Sequence, residues 1–174
     1  GGVVGRNAYG DLTNITVDVT PDSYVKATSL EDGIGYRTYV GGVVGKLASG
    51  TIENCAVIGT SAVSASNSSD SYVGGVVGSA DANVTVQNCY NEGAVTGNGQ
   101  YTGGVVGHVN SGITLSNCYN TGAVTGKKYT AGIVGRLPYS GATVSNSYNM
   151  GTVIGESAYV GAVIGSGSGT ISNN

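Results

Sequence analysis

Residues Tyr101 to Asn120 read YTGGVVGHVNSGITLSNCYN, and TGAVTG follows at once from Thr121 to Gly126. The same three-part order recurs down the chain. A glycine strand begins at Gly1, Gly41, Gly74, Gly103, Ala131 and Gly161, as GGVVG four times, then AGIVG, then GAVIG. A second element carries asparagine in one register, at Asn14, Asn54, Asn88, Asn117, Asn146 and Asn173, with steps of 40, 34, 29, 29 and 27 residues. The third element, Gly-Ala-Val-Thr-Gly, is clear at Gly93–Gly97 and Gly122–Gly126, altered at Gly151–Gly155 and weak near Ala62–Ala65. Self-similarity at a fixed period marks a repeat architecture. Short β-branched runs bounded by Gly, Asn or Ser are strand signals, and no window shows helical spacing of apolar residues over three turns.

A five-residue strand buries no face alone, so each unit has to stack on the next. Stacking sets equivalent residues about 4.8 Å apart and turns sequence registers into columns of side chains. Before each asparagine stand Thr51, Thr85, Thr114, Thr143 and Thr170, then apolar Ile52, Val86, Leu115, Val144 and Ile171, then Glu53, Gln87, Ser116, Ser145 and Ser172. Alternation puts the apolar column inside and its two neighbours outside. The columns Asn54, Asn88, Asn117 and Asn146 sit where the strand should bend, and their amides can hydrogen-bond from coil to coil. Small Cys55, Cys89 and Cys118 follow, with Ser147 on the fourth rung.

The expected fold is therefore all-β: a parallel β-helix, or β-solenoid, of about six coils with three short strands each. Parallel crossovers favour a right-handed turn. The units run 1–40 (divergent, with an insertion), 41–73, 74–102, 103–130 and 131–160, with a truncated one at 161–174, all in one domain. Turn signals at Asp32-Gly33 and a polar stretch at Ser66–Ser71 read as loops. The chain opens on the first glycine of a unit and stops within a second element, which reads as a piece of a longer protein. Solenoid coils at this spacing make a rod of roughly 30 Å.

Of 174 residues 32 are Gly and 12 Tyr, with no Phe or Trp, so the core must be thin and built from Val, Ile, Ala and Cys. The net charge is −3 and no basic run occurs, which argues against nucleic acid and against anionic membranes. The longest apolar run, Val-Gly-Gly-Val-Val-Gly, is too short to span a bilayer.

The motifs GGVVG, NCYN and GAVTG, in phase, resemble GLUG-motif repeats. The match covers residues 38–174 well and 1–37 loosely. Such repeats occur in bacterial surface and adhesin-like proteins and in non-catalytic regions of immunoglobulin A1-specific metallopeptidases. The resemblance implies an extracellular or cell-surface setting in a bacterium. It transfers no catalytic residue: the His-Glu-x-x-His zinc motif is absent from a chain with one histidine.

Chemistry is sparse. His108, read as a variable loop position shared with Lys46, Ser79, Arg136 and Ser166, lacks the partners of a triad. The acids are scattered, with no pair placed for glycoside hydrolysis; Asp18 and Asp22 flank a strand end but no calcium loop surrounds them. The cysteine spacing is the repeat period rather than a metal-ligand spacing, which favours small buried hydrophobes over a metal or a disulfide. No catalytic residue, metal or cofactor is therefore expected. A flat threonine array can order water, but Glu53 and Gln87 interrupt its second row. The binding candidate is the column Tyr39, Tyr72, Tyr101, Tyr129 and Tyr159, which alternation leaves facing either in or out. Facing out, it makes a Tyr/Val stripe suited to a host glycan, a host protein or a neighbouring domain of the parent chain; facing in, it is a corner stack. Tyr90, Tyr119 and Tyr148, next to Asn91, Asn120 and Asn149, read as a second corner stack. Three functions follow: a structural or adhesive repeat module, an accessory region presenting a peptidase domain, or, as a minor alternative, a carbohydrate-active β-helix.

Overall fold

The computed structural model describes residues 1–7, 9–28, 37–66, 70–157 and 159–174. The Asp32-Gly33 turn and the centre of the Ser66–Ser71 loop lie outside the described residues. The chain forms the parallel all-β solenoid that its repeat demands: among the described residues every strand pairing is parallel. All three elements of the repeat are present, but two are split by a bend. Each complete coil therefore contributes one short strand to each of five sheets. Counted from the tyrosine strand, four coils are complete among the described residues, between a first coil of four strands and a last of three, so fewer full turns form than the six expected.

One coil shows the pattern. Tyr101–Gly103 belongs to what we call the tyrosine sheet, Val106–Val109 to the glycine sheet and Thr114–Ser116 to the threonine sheet. Tyr119–Asn120 belongs to the Tyr-Asn sheet and Val124–Gly126 to the valine sheet. The Gly-Gly pair bends the first element between its two strands. The asparagine bends the second. Registers run Thr51, Thr85, Thr114, Thr143 and Thr170 in one column, and Ile52, Val86, Leu115, Val144 and Ile171 in the next. Ile52, Val86, Leu115 and Val144 are fully buried. Each such side chain contributes about 1.5–3 kcal/mol, and together with the valine columns they fill the lumen.

The bend at asparagine has a backbone cause. Asn14, Asn54, Asn88, Asn117, Asn146 and Asn173 all have φ between 49 and 58°. Asn tolerates this left-handed region better than any residue except Gly. Its side chain then stays free to stack. Asn54 Nδ2 donates to Asn14 Oδ1, Asn88 to Asn54 and Asn117 to Asn88, each at 3.2 Å, and Asn146 donates to Asn117 at 3.3 Å. The ladder is exposed to solvent. Its value lies in the turn it permits rather than in satisfying buried partners.

A second asparagine ladder lies inside, and the sequence reading missed it. Asn91 and Asn120 are fully buried. Asn91 Nδ2 donates to Asn120 Oδ1 and Asn120 Nδ2 to Asn149 Oδ1, both at 2.7 Å. Each also donates to the carbonyl of the glycine two residues on, Gly93, Gly122 or Gly151. The ladder stops at the second coil, where Val57 holds the register of Asn91. Asn91 Oδ1 is left without a partner. The inner amides also dictate one glycine: a Cβ on Gly104 would lie 2.5 Å from the Asn120 amide carbon and 2.0 Å from the Gly132 carbonyl oxygen.

Two predictions follow from these columns. Replacing Asn117 with Ala lowers stability by about 1–2 kcal/mol, the cost of a left-handed conformation for an ordinary residue, whereas Asn117→Gly costs clearly less. Denaturant melts decide; equal losses for Ala and Gly would move the credit from backbone to ladder. The tyrosine sheet offers the opposite case. Its inner column reads Val40, Val73, Thr102, Thr130 and Val160, and the Thr102 and Thr130 hydroxyls are buried without partners. Thr102→Val removes such a group and raises stability by about 1 kcal/mol in the same assay.

Candidate functional site

The five tyrosines Tyr39, Tyr72, Tyr101, Tyr129 and Tyr159 form one continuous stack. Successive ring centroids are 4.9, 4.9, 5.3 and 4.8 Å apart. They lie outside the hydrophobic core cluster. They are nevertheless no flat open stripe: Tyr72 and Tyr101 are only 7% exposed, Tyr39 and Tyr129 are half-buried, and Tyr159 alone is open, at 46%.

What covers them is a column on the glycine sheet. Arg6, Lys46, Ser79, His108, Arg136 and Ser166 stand in one register. The loop placement of His108 is corrected here, because it lies within the strand Val106–Val109. The third glycine of each GGVVG brings the two columns together. A Cβ on Gly107 would sit 2.7 Å from the Val73 carbonyl oxygen and 2.8 Å from its nitrogen. Only Gly lets the glycine sheet lie this close to the backbone of the tyrosine sheet, and the residue after it is carried against the rings.

His108 packs edge-on to Tyr72 at 5.3 Å and tilted on Tyr101 at 4.6 Å. Lys46 Nζ lies 5.2 Å from the Tyr39 ring. The Arg136 guanidinium lies 5.5 Å from Tyr101 and 5.0 Å from Tyr129, and its Nη1 donates to Tyr101 Oη at 3.0 Å. Lys128 Nζ, from the preceding loop, lies 5.3 Å from Tyr129. Cations over aromatic faces are attracted by the ring quadrupole, by about 0.5–1 kcal/mol where exposed and more when desolvated. Two carboxylates balance part of the charge: Asp81 pairs with Lys46 at 3.2 Å, and Asp70 meets Arg37 at 4.0 Å and accepts from Gln100.

Burial, then the nearby Arg136 and Arg37 charges, lower the His108 pKa from 6.5 to about 4, so the ring is neutral at neutral pH. Its Nδ1 is buried and unpartnered. Ser79 is the register neighbour of His108, but among the described residues no acid bonds to the imidazole to orient it as the third member of a triad would. Burial likewise pushes Tyr72 up to about 12.

The remaining columns are placed as follows. Tyr90, Tyr119 and Tyr148 stack at 4.7 and 5.4 Å with nearly parallel rings, and Tyr148 is well exposed. Cys55, Cys89 and Cys118 are buried, free thiols. Each Sγ donates to the carbonyl two residues back, at Glu53, Gln87 and Ser116, and the Ser147 hydroxyl does the same to Ser145 at 2.9 Å. Hydrogen bonding to Cys118, with burial, holds Cys89 up at about 12. Thr51, Thr85 and Thr143 are half-buried and Thr114 is exposed. Beside them Gln87 Nε2 donates to Glu53 Oε1 at 2.8 Å. Among the described residues no three of His, Cys, Asp and Glu converge to hold a metal, and no helix is long and apolar enough to cross a membrane.

The neutral histidine generates a pH prediction. Its folded value lies below its unfolded one, so the fold binds fewer protons there. That contribution to stability is complete above pH 6.5 and is lost as pH falls toward about 4. The loss amounts to up to about 3 kcal/mol. Denaturant melts at several pH values should show the wild-type chain falling more steeply than His108→Phe across that window; parallel curves would refute the assignment.

No curated protein matches the chain by sequence. By structure the chain is similar to the crystal structure of a protein from Bacteroides ovatus that has been proposed to be an immunoglobulin A1 protease, with 17% identity and a TM-score of 0.56. The match covers 88% of this chain and 49% of that one, so this chain spans about half the length of its structural neighbour. At that identity the likeness concerns the fold alone. The model of the GLUG motif matches residues 36–64, which is one turn of the solenoid from the tyrosine strand to the valine strand, and this chain therefore carries that motif.

Proposed function

We propose that the chain is a non-catalytic repeat module of a bacterial exported protein, acting as a rigid spacer that also presents a binding edge. One observation carries this reading. The asparagine side chains of the solenoid are consumed in coil-to-coil ladders, and the tyrosine edge is where cations and aromatic rings are concentrated instead. Stacked coils transmit load along the axis because each contacts only its neighbours. Residues that vary from coil to coil along one column offer such a module its recognition surface.

A second reading has its own support. The structural neighbour is about twice this length and has been proposed to be a protease, so the solenoid also suits an accessory region that holds a peptidase domain encoded elsewhere in the parent chain. The parent sequence separates the two: a His-Glu-x-x-His motif outside this segment favours the accessory role, and an anchor with further repeats favours the adhesive one. The carbohydrate-active β-helix has the least support, because Asp70 and Asp81 are engaged with cations.

The test is a glycan and host-protein binding screen of this chain, run beside a turnover assay on the same panel. Retained ligands without turnover, lost in Tyr159→Ala, support an adhesive edge. Absence of any ligand leaves the spacer role. Hydrolysis of any panel member by the purified chain would overturn the non-catalytic reading.

A further inference from the structure

We infer that the end of the tyrosine edge around Lys128, Tyr129 and Arg136 takes an acidic sugar: an anionic group, carboxylate or sulfate ester, carried on a sugar ring. The inference rests on the reading of this edge as a binding surface and names what that surface takes.

The geometry begins with Arg136. Its guanidinium is held against Tyr101 and Tyr129 at 5.5 and 5.0 Å and anchored by its hydrogen bond to Tyr101 Oη at 3.0 Å. That one bond uses a single donor of five and leaves the charge whole. Lys128 brings a second cation to the same Tyr129 ring at 5.3 Å. No carboxylate among the described residues lies within ion-pair distance of either. Asp81 is engaged with Lys46, Asp70 with Arg37 and Gln100, and Glu156, in the loop one coil above, makes no ion pair. Beside Lys46 and Arg37 a carboxylate lies close; beside Arg136 and Lys128 none does among the described residues.

The neighbouring groups extend the site. His108 Nδ1, in the coil below Arg136, is buried with no partner, and its ring is kept neutral partly by the Arg136 charge. One coil above, Tyr159 stacks on Tyr129 at 4.8 Å with 46% of its surface open, and Ser166 stands in register with Arg136. A preorganised guanidinium and an ammonium favour a carboxylate or sulfate. An open aromatic ring beside them favours a ring that is apolar on one face and polar at its rim, as a sugar is. A neutral apolar ligand here would strip water from two cations without replacing it, at a cost.

The experiment titrates the chain by calorimetry with sialyllactose, sulfated lactose, lactose and potassium sulfate. It uses wild type, Lys128→Gln, Arg136→Gln and Tyr159→Ala. The expected result is binding of an acidic lactose, weakened by salt as screening requires, at least tenfold weaker in the Lys128→Gln and Arg136→Gln variants, and no comparable binding of lactose. Preference for the sialylated or the sulfated sugar identifies the anion. Lys128 is exposed, so its variant keeps the inference testable if Arg136→Gln unfolds. Equal binding of lactose, unchanged affinity in both Gln variants, or binding of potassium sulfate as tight as that of the sugars (an adventitious ion only) overturns the inference. Silence of all four probes, with a neutral glycan or a protein retained in the binding screen, overturns the acidic-sugar site alone; silence in both experiments overturns the adhesive edge as well.

Discussion

In a parallel in-register stack the nearest neighbour of a side chain is its own counterpart one coil away, about 4.8 Å off. Every column must therefore tolerate proximity to its own kind. Valine, leucine and isoleucine do so by packing. Asparagine does so because one amide carries both a donor and an acceptor, so a column of them satisfies itself from rung to rung. Tyrosine does so by ring stacking. A charge does not. The glycine-sheet column shows how the chain handles this: Ser79 separates Lys46 from His108, and His108 stays neutral beside Arg136. Where two cations do adjoin, at Arg6 and Lys46, Asp81 lies 3.2 Å from the lysine.

The same constraint explains the glycines. A narrow lumen without Phe or Trp closes only if sheets come within backbone contact at the corners. At both Gly104 and Gly107 the nearest obstacle is a glycine carbonyl oxygen of the neighbouring coil, Gly132 or Gly78; beyond it, Gly104 meets the buried Asn120 amide and Gly107 the backbone of Val73. The second obstacles differ between two glycines three residues apart. The outer and inner asparagines divide the labour in a comparable way. Asn117 supplies a left-handed bend and stays wet. Asn120 ties three coils together in the dry interior, with its second donor on Gly122.

Much of the fold was legible in the sequence because periodicity alone fixes which residues stack. The columns of Thr51, Ile52 and Glu53 and their equivalents could be placed in or out by alternation, since that strand is straight. Alternation fails across Gly-Gly-Val-Val-Gly, where the chain kinks, and that is why the side faced by the tyrosines stayed open and His108 was read as a loop residue. The inner asparagines were visible as the second Asn of Asn-Cys-Tyr-Asn, followed two residues later by glycine. The left-handed turn at the first Asn reverses the expected parity, so their burial could not be read without the turn geometry. The number of strands was hidden for the same reason: a bend at Gly-Gly or at Asn divides an element without interrupting its pattern.

Uniform columns and variable columns then carry different information. Asn54, Asn88, Asn117 and Asn146 are identical because a substitution breaks the turn together with the rung-to-rung hydrogen bonds. The column of Lys46, Ser79, His108, Arg136 and Ser166 holds five residues of four kinds along one strand register. Folding asks of that column only that like charges be separated or compensated, and the glycine before each member already fixes its approach to the tyrosines. The backbone thus presents a row of equivalent sockets on an aromatic edge, each free to hold a different side chain. Stacking there constrains the position of a side chain but not its chemistry, which is the condition that the proposed binding edge requires.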